Sequence, residues 1–114
     1  MNINNCKINV LGTEYTIHEF TRAQDKSLND CDGYCDKTSK KIVVCAKDDD
    51  CDLENFKIYQ KKTLRHEIIH AFHFESGIDN NFINQQYGFS ETIVDWIAIQ
   101  APKFLKIFEE LGIL

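Results

Sequence analysis

Residues 53–76 contain neither glycine nor proline, and their apolar positions Leu64, Ile68, Ile69, Ala71 and Phe72 recur at helical spacing. The pattern predicts a helix from about Leu53 to Glu75, with Gly77 just past its end. Within it stands His66-Glu67-Ile68-Ile69-His70. Residues four apart on a helix differ by about 40° in azimuth and about 6 Å in rise. Both imidazoles can therefore turn a nitrogen toward one point, where a tetrahedral zinc ion with Zn–N near about 2.0–2.1 Å fits. Glu67 projects about 100° from His66. Its carboxylate would stand beside the metal, placed to take a proton from a metal-bound water. His73 lies on the same side and is a further candidate ligand or cleft residue. Three ligands along one straight helix would span roughly 10 Å, too far to converge on one ion without distortion. Glu75 points about 180° away from His66, and a structural hydrogen bond to the following loop is expected of it.

A catalytic zinc site usually has three protein ligands and one open position. Downstream, Ser90-Glu91-Thr92-Ile93-Val94-Asp95-Trp96 opens a second helix with Glu91 and Asp95 four apart on one face. Here the chain resembles the gluzincin branch of the zincin metallopeptidases, in which two His of one helix and a Glu of a second helix bind zinc. That resemblance implies Glu91 as third ligand and Asp95 as the carboxylate that accepts the other N–H of a ligand His and fixes its ring. The run LRHEIIHAFHFESG with ETIVDWIAIQAP also resembles small zincin-like proteins of phages and prophages of Gram-positive bacteria. The likeness is loose over residues 31–111 and tight over 64–77 and 90–102. The chain has no room for the second lobe of the large gluzincins.

The 114 residues suit one domain, and 43% hydrophobic content with eight Phe supports a sizeable core. A net charge of −5 argues against nucleic acid as a partner. The start MNINNCKINVLG lacks a basic segment followed by an apolar one, and no apolar run approaches a membrane span. A soluble, cytoplasmic protein without a membrane partner is expected. Cys6, Cys31, Cys35, Cys45 and Cys51 are odd in number, so reduced thiols are expected, with Cys45 facing a core from a strand. A second zinc site from these cysteines would lack the paired knuckle spacing of a zinc ribbon.

Residues 6–20 alternate, and two short strands joined at Leu11-Gly12-Thr13 fit them, with His18 in the second. The polar residues 21–31 are a connection with room for a helical turn. Asp32-Gly33 marks a turn, Tyr34-Cys35 starts a strand, and Lys41–Ala46 is a β-branched strand. By resemblance to zincins, one strand of this hairpin borders the cleft, where its free edge would pair with an extended peptide. In Lys47–Asp52, Asp50 or Asp52 can cap the metal helix. Lys57, Lys61, Lys62 and Arg65 form a solvated face. Residues 76–89 form a long Asn- and Gln-rich loop in which Tyr87 could hydrogen-bond an oxyanion. From Glu91 to Leu111 apolar residues keep helical spacing across Pro102, as one kinked helix or two.

The expectation is an α+β fold: a small twisted sheet of three or four strands, packed on the metal helix, with a Glu-bearing C-terminal helix behind. The expected function is zinc-dependent hydrolysis of peptide or protein substrates, with zinc on His66, His70 and Glu91. The alternative is an inactive or highly specific metal-bearing phage regulatory protein that keeps the zincin fold.

Overall fold

The computed structural model describes residues 3–81 and 91–114. In chain order these form β1 (Cys6–Val10), β2 (Thr13–Phe20), a short 3-10 turn (Lys26–Asn29), β3 (Gly33–Asp36), β4 (Lys41–Cys45), α1 (Phe56–Ser76), α2 (Ile78–Asn81) and α3 (Glu91–Leu111). The architecture is α+β. Its sheet is mixed and has the order β1-β2-β4-β3. β1 runs antiparallel to β2, β2 parallel to β4, and β4 antiparallel to β3.

The β1–β2 hairpin turns on two residues, since Val10 pairs with Thr13. Leu11 and Gly12 both take positive φ, 52° and 95°, as the tight hairpin turn that matches strand twist requires. The Asn9 side chain accepts from the Gly12 amide at 2.6 Å and braces the turn.

β4 is buried along Ile42, Val43, Val44 and Cys45 because it is an interior strand covered on both faces. Ile42 and Val44 join Ile8, Val10, Tyr15 and Ile17 beneath α1, against Leu64, Ile68, Ala71 and Phe72. Val43 and Cys45 face the other way and pack with Leu28 of the 3-10 turn, beside Phe20, Cys31 and Tyr34. Cys45 thus faces a core, a smaller one than that under the helices. His18 lies on this second face, stacked on Phe20 and within 3.1 Å of the Thr16 hydroxyl.

α1 begins at Phe56 rather than Leu53, and its cap is Asn55, whose side chain accepts from the Ile58 amide at 3.3 Å; neither Asp50 nor Asp52 has that place. At the far end Gly77 takes φ 81°, the left-handed stop expected there. α3 is one helix with Pro102 inside it. Phe104, Ile107, Phe108 and Leu111 beyond the proline dock on the main core, as Trp96 does before it. Its end closes with the Ile113 amide on the Phe108 carbonyl (2.9 Å) and Gly112 at φ 67°. Arg65 of α1 donates to the Ile113 carbonyl at 2.5 Å and ties α1 to the segment that follows α3. Among the described residues no helix is long and apolar enough to cross a membrane.

Candidate metal centre and cleft

The face that α1 turns to the sheet repeats at Leu64, Glu67/Ile68, Ala71/Phe72 and Glu75. Two carboxylates therefore fall on an apolar stripe, and the fold treats them differently. Glu75 is satisfied three times. It accepts from the Thr13 hydroxyl (2.9 Å), the Tyr15 hydroxyl (2.7 Å) and the Lys40 ammonium (2.8 Å). Its partners lie on the strands and their turn, not on the loop after α1. Glu67 is 7% exposed; among the described residues its side chain has no hydrogen bond, and its oxygens keep some contact with solvent, since the one fully enclosed unpaired side-chain oxygen there is Gln100 Oε1. Burial alone pushes its carboxyl up to about 7.

What buries Glu67 is β3. A Cβ placed on Gly33 would stand 2.9 Å from Thr63 Cγ2, 3.0 Å from the Val43 carbonyl and 3.5 Å from Glu67 Cγ. Only glycine lets the strand lie this close to the helix. Gly33 is the first residue of β3 and serves close approach; the expected turn role is not its function here. Two residues on, the Cys35 thiol is pushed up to about 12, first by burial and then by the negative charge of Glu67. Farther along, Lys37 lies 3.8 Å from the Asp79 carboxylate and 5.3 Å from the centre of the Phe74 ring. β3 and the turn after it thus follow α1 from Thr63 to its C-terminal end. Sheet order makes β3, not β4, the edge strand.

On the side next to Glu67, His66 is exposed and His70 half-buried. Their Nε2 atoms stand 3.1 Å apart, with ring centroids at 4.7 Å. Two nitrogen ligands on one tetrahedral zinc are about 3.3 Å apart, so the pair is close to the spacing a shared ion needs. The same separation suits an N–H···N bond between neutral rings. His70 is held below the usual histidine range by burial and then by His66, which favours the neutral, coordinating form. His73 is also held low by burial and by His70. Its ring lies 6.0 Å from that of His70 and 4.8 Å from that of Trp96, in the contact between α1 and α3. The Trp96 indole donates to the Ser76 hydroxyl at 2.9 Å. The first turns of α3 therefore run beside the C-terminal end of α1.

Glu91 and Asp95 are in the N-terminal turns of α3. Their side chains, and Tyr87 altogether, lie outside the described residues. Among the described residues no group of three or more His, Cys, Asp or Glu side chains is arranged to hold a metal ion. No disulfide links Cys31, Cys35, Cys45 and Cys51. Cys35 faces α1, whereas Cys31 and Cys45 pack on the opposite face of the sheet.

Two parts of this site escape a sequence reading: Gly33 as the close-approach residue and Cys35 as the neighbour of Glu67. A glycine at the head of a short strand is the one local signal for the first. Comparison of the chain with protein-family models, with curated proteins and with solved structures finds no match.

Proposed function

We propose that the chain is a zinc-dependent metallopeptidase of minimal gluzincin type. The observation that carries the reading is Glu67: a carboxylate 7% exposed under an edge strand, without a hydrogen-bond partner among the described residues, and adjacent in sequence to one of two imidazoles that converge to 3.1 Å. An unpaired buried carboxylate opposes folding, and such groups cluster where chemistry needs them. The donor set fits zinc: two neutral imidazoles, with Glu91 as the third ligand that the resemblance to gluzincins implies. When bound, zinc would act as a Lewis acid, lowering the pKa of a coordinated water and polarising a peptide carbonyl.

The remaining work falls to the protein. Glu67 takes the proton of the attacking water and passes it to the leaving amine. Burial raises the proton affinity of this carboxyl in the metal-free chain, the direction that suits a group that must accept a proton from water. β3 excludes water from one side of Glu67 and offers its outer edge to an extended peptide, which would bind through main-chain hydrogen bonds. With zinc bound, Asp95 would orient a ligand imidazole and Tyr87 would donate to the developing oxyanion.

The test measures zinc by elemental analysis beside hydrolysis of a quenched-fluorescent peptide library. The expected result is about one zinc per chain, lost in His66→Ala and in His70→Ala. Glu67→Gln should keep the zinc and lose roughly 10²–10⁴-fold in rate. Undiminished zinc in both histidine variants would remove the site. Zinc retained with no hydrolysis by the parent chain, and a biological effect unchanged in Glu67→Gln, would favour a metal-bearing interaction protein instead.

A further inference from the structure

The sheet has a second edge, β1, far in sheet order from the cleft strand. Between β1 and α3 runs an open groove of about 780 Å³. Its floor is apolar, made by Ile8, Phe72 and Ile107. Its rim carries Lys7 from the strand and Lys103 and Lys106 from the helix, against the single carboxylate of Glu110. All three lysines are exposed. Among the described residues none of them forms an ion pair. The local balance is positive in a chain whose net charge is −5.

From this groove we infer a docking site for an extended, acidic segment of a partner protein, added to the sheet as a strand beside β1. A free strand edge supplies main-chain donors and acceptors to an extended chain, and a helix alongside forms the wall of the cleft. On the face toward α3, side chains of the added strand would meet Ile8, Phe72 and Ile107 and, at the helix rim, Lys103 and Lys106; on the opposite face they would meet Lys7. One lysine on the strand would suffice to guard the edge against unwanted pairing. Two more across an apolar groove, on a different element, exceed that need. A second copy of this chain is a poor occupant, since β1 pairing with β1 would bring the lysine rims together. The negative charge elsewhere on the surface is screened beyond about 8–10 Å at physiological salt, whereas the lysines would touch the guest directly. This inference holds whether or not the chain is a peptidase.

The test uses the intact chain and a fluorescein-labelled twelve-residue peptide repeating Glu-Glu-Val-Val, so that each face of the added strand carries both residue types, compared with the same peptide carrying Lys for Glu. Fluorescence anisotropy should show saturable binding of the acidic peptide alone. The triple variant K7E/K103E/K106E should weaken it at least tenfold with an unchanged urea midpoint. On binding, the amides of residues 7–10 should exchange more slowly. If the triple variant fails to fold, K103Q/K106Q should give the same loss at reduced size. Equal binding of both peptides, no binding of either, or binding insensitive to the lysines would overturn the inference. So would a dimer in sedimentation velocity that the triple variant dissociates, or binding of phosphatidylserine vesicles without binding of the peptide.

Discussion

Replacing Glu75 by alanine tests how the sheet and the site helix are held in register. Glu75 receives the hydroxyls of Thr13 and Tyr15 and the ammonium of Lys40, so it joins α1 to β2 and to the turn that ends β3. Each hydrogen bond to a charged carboxylate contributes about 1.5–3 kcal/mol. The Lys40 pair is discounted to about 1 kcal/mol or less, because the Lys40 side chain is 41% exposed. Tyr15 is 0% exposed, so its hydroxyl loses its partner with no water to replace it. The contributions share one group and do not simply add, and the expected loss is about 3–4 kcal/mol. With a urea m-value of about 1.5 kcal/mol/M, the midpoint should fall by roughly 2 M at constant m. Tyr15→Phe removes the same bond, so the double variant should be less destabilised than the sum of the singles, by about 1–2 kcal/mol. The pH dependence has a definite sign. The Lys40 and Tyr15 contacts hold the Glu75 carboxyl below the usual carboxylate range. Its contribution is therefore present above an unfolded-state pKa of about 4.3 and is lost as pH falls through the lower folded value. The gap in stability between the parent and Glu75→Gln should narrow over that acid range. A loss below about 1 kcal/mol in urea unfolding, or strict additivity with Tyr15→Phe, would refute the reasoning.

Other perturbations probe the remaining contacts. Gly33→Ala places a methyl 2.9 Å from Thr63 Cγ2 and 3.0 Å from the Val43 carbonyl, and should destabilise by about 1–3 kcal/mol in urea unfolding. Adding Thr63→Ser, which removes that Cγ2, should recover part of the loss; no recovery would mean that the backbone carbonyl sets the limit. Gly77→Ala strains the φ 81° stop of α1 and should lower stability by about 1 kcal/mol, read as a shift of the thermal midpoint. Asp95→Asn should weaken zinc binding by about 10–100-fold in a competition titration with a chelating dye, and unchanged affinity would remove Asp95 from the site.

Much of the fold is legible because its signals are periodic and local. The β-branched run Ile42-Val43-Val44 announces a strand, and the uninterrupted span before Gly77 announces α1. What escaped depends on distant residues. The cap moved to Asn55 because helix entry is decided by which side chain reaches a free amide, here that of Ile58, and not by the density of acids upstream. Glu75 finds its hydroxyl partners 60 and 62 positions away, across a sheet whose order no local pattern reveals. Gly33 shows the same difficulty: a glycine needed for a turn and one needed because Thr63 lies beneath it look alike in sequence. Sheet order likewise had to come from the fold: it makes β3 an edge strand, and the close approach of Gly33 to Thr63 and Glu67 makes β3 the strand that covers Glu67.

The contrast between Glu67 and Glu75 carries the argument farther than either residue alone. Both stand on the sheet-facing stripe of one helix, eight residues and about two turns apart. The chain satisfies Glu75 with three donors drawn from two places, β2 and the turn between β3 and β4. It therefore has the means to neutralise a carboxylate under this sheet, and leaving Glu67 without a partner among the described residues is not forced by composition. Packing alone would be better served at position 67 by leucine or methionine, which fill a similar volume without opposing burial of charge. Glu67→Leu should accordingly raise the urea midpoint of the metal-free chain while abolishing hydrolysis. A midpoint that falls would mean that Glu67 contributes to folding through contacts of its own, and the case for a carboxylate kept for chemistry would fail.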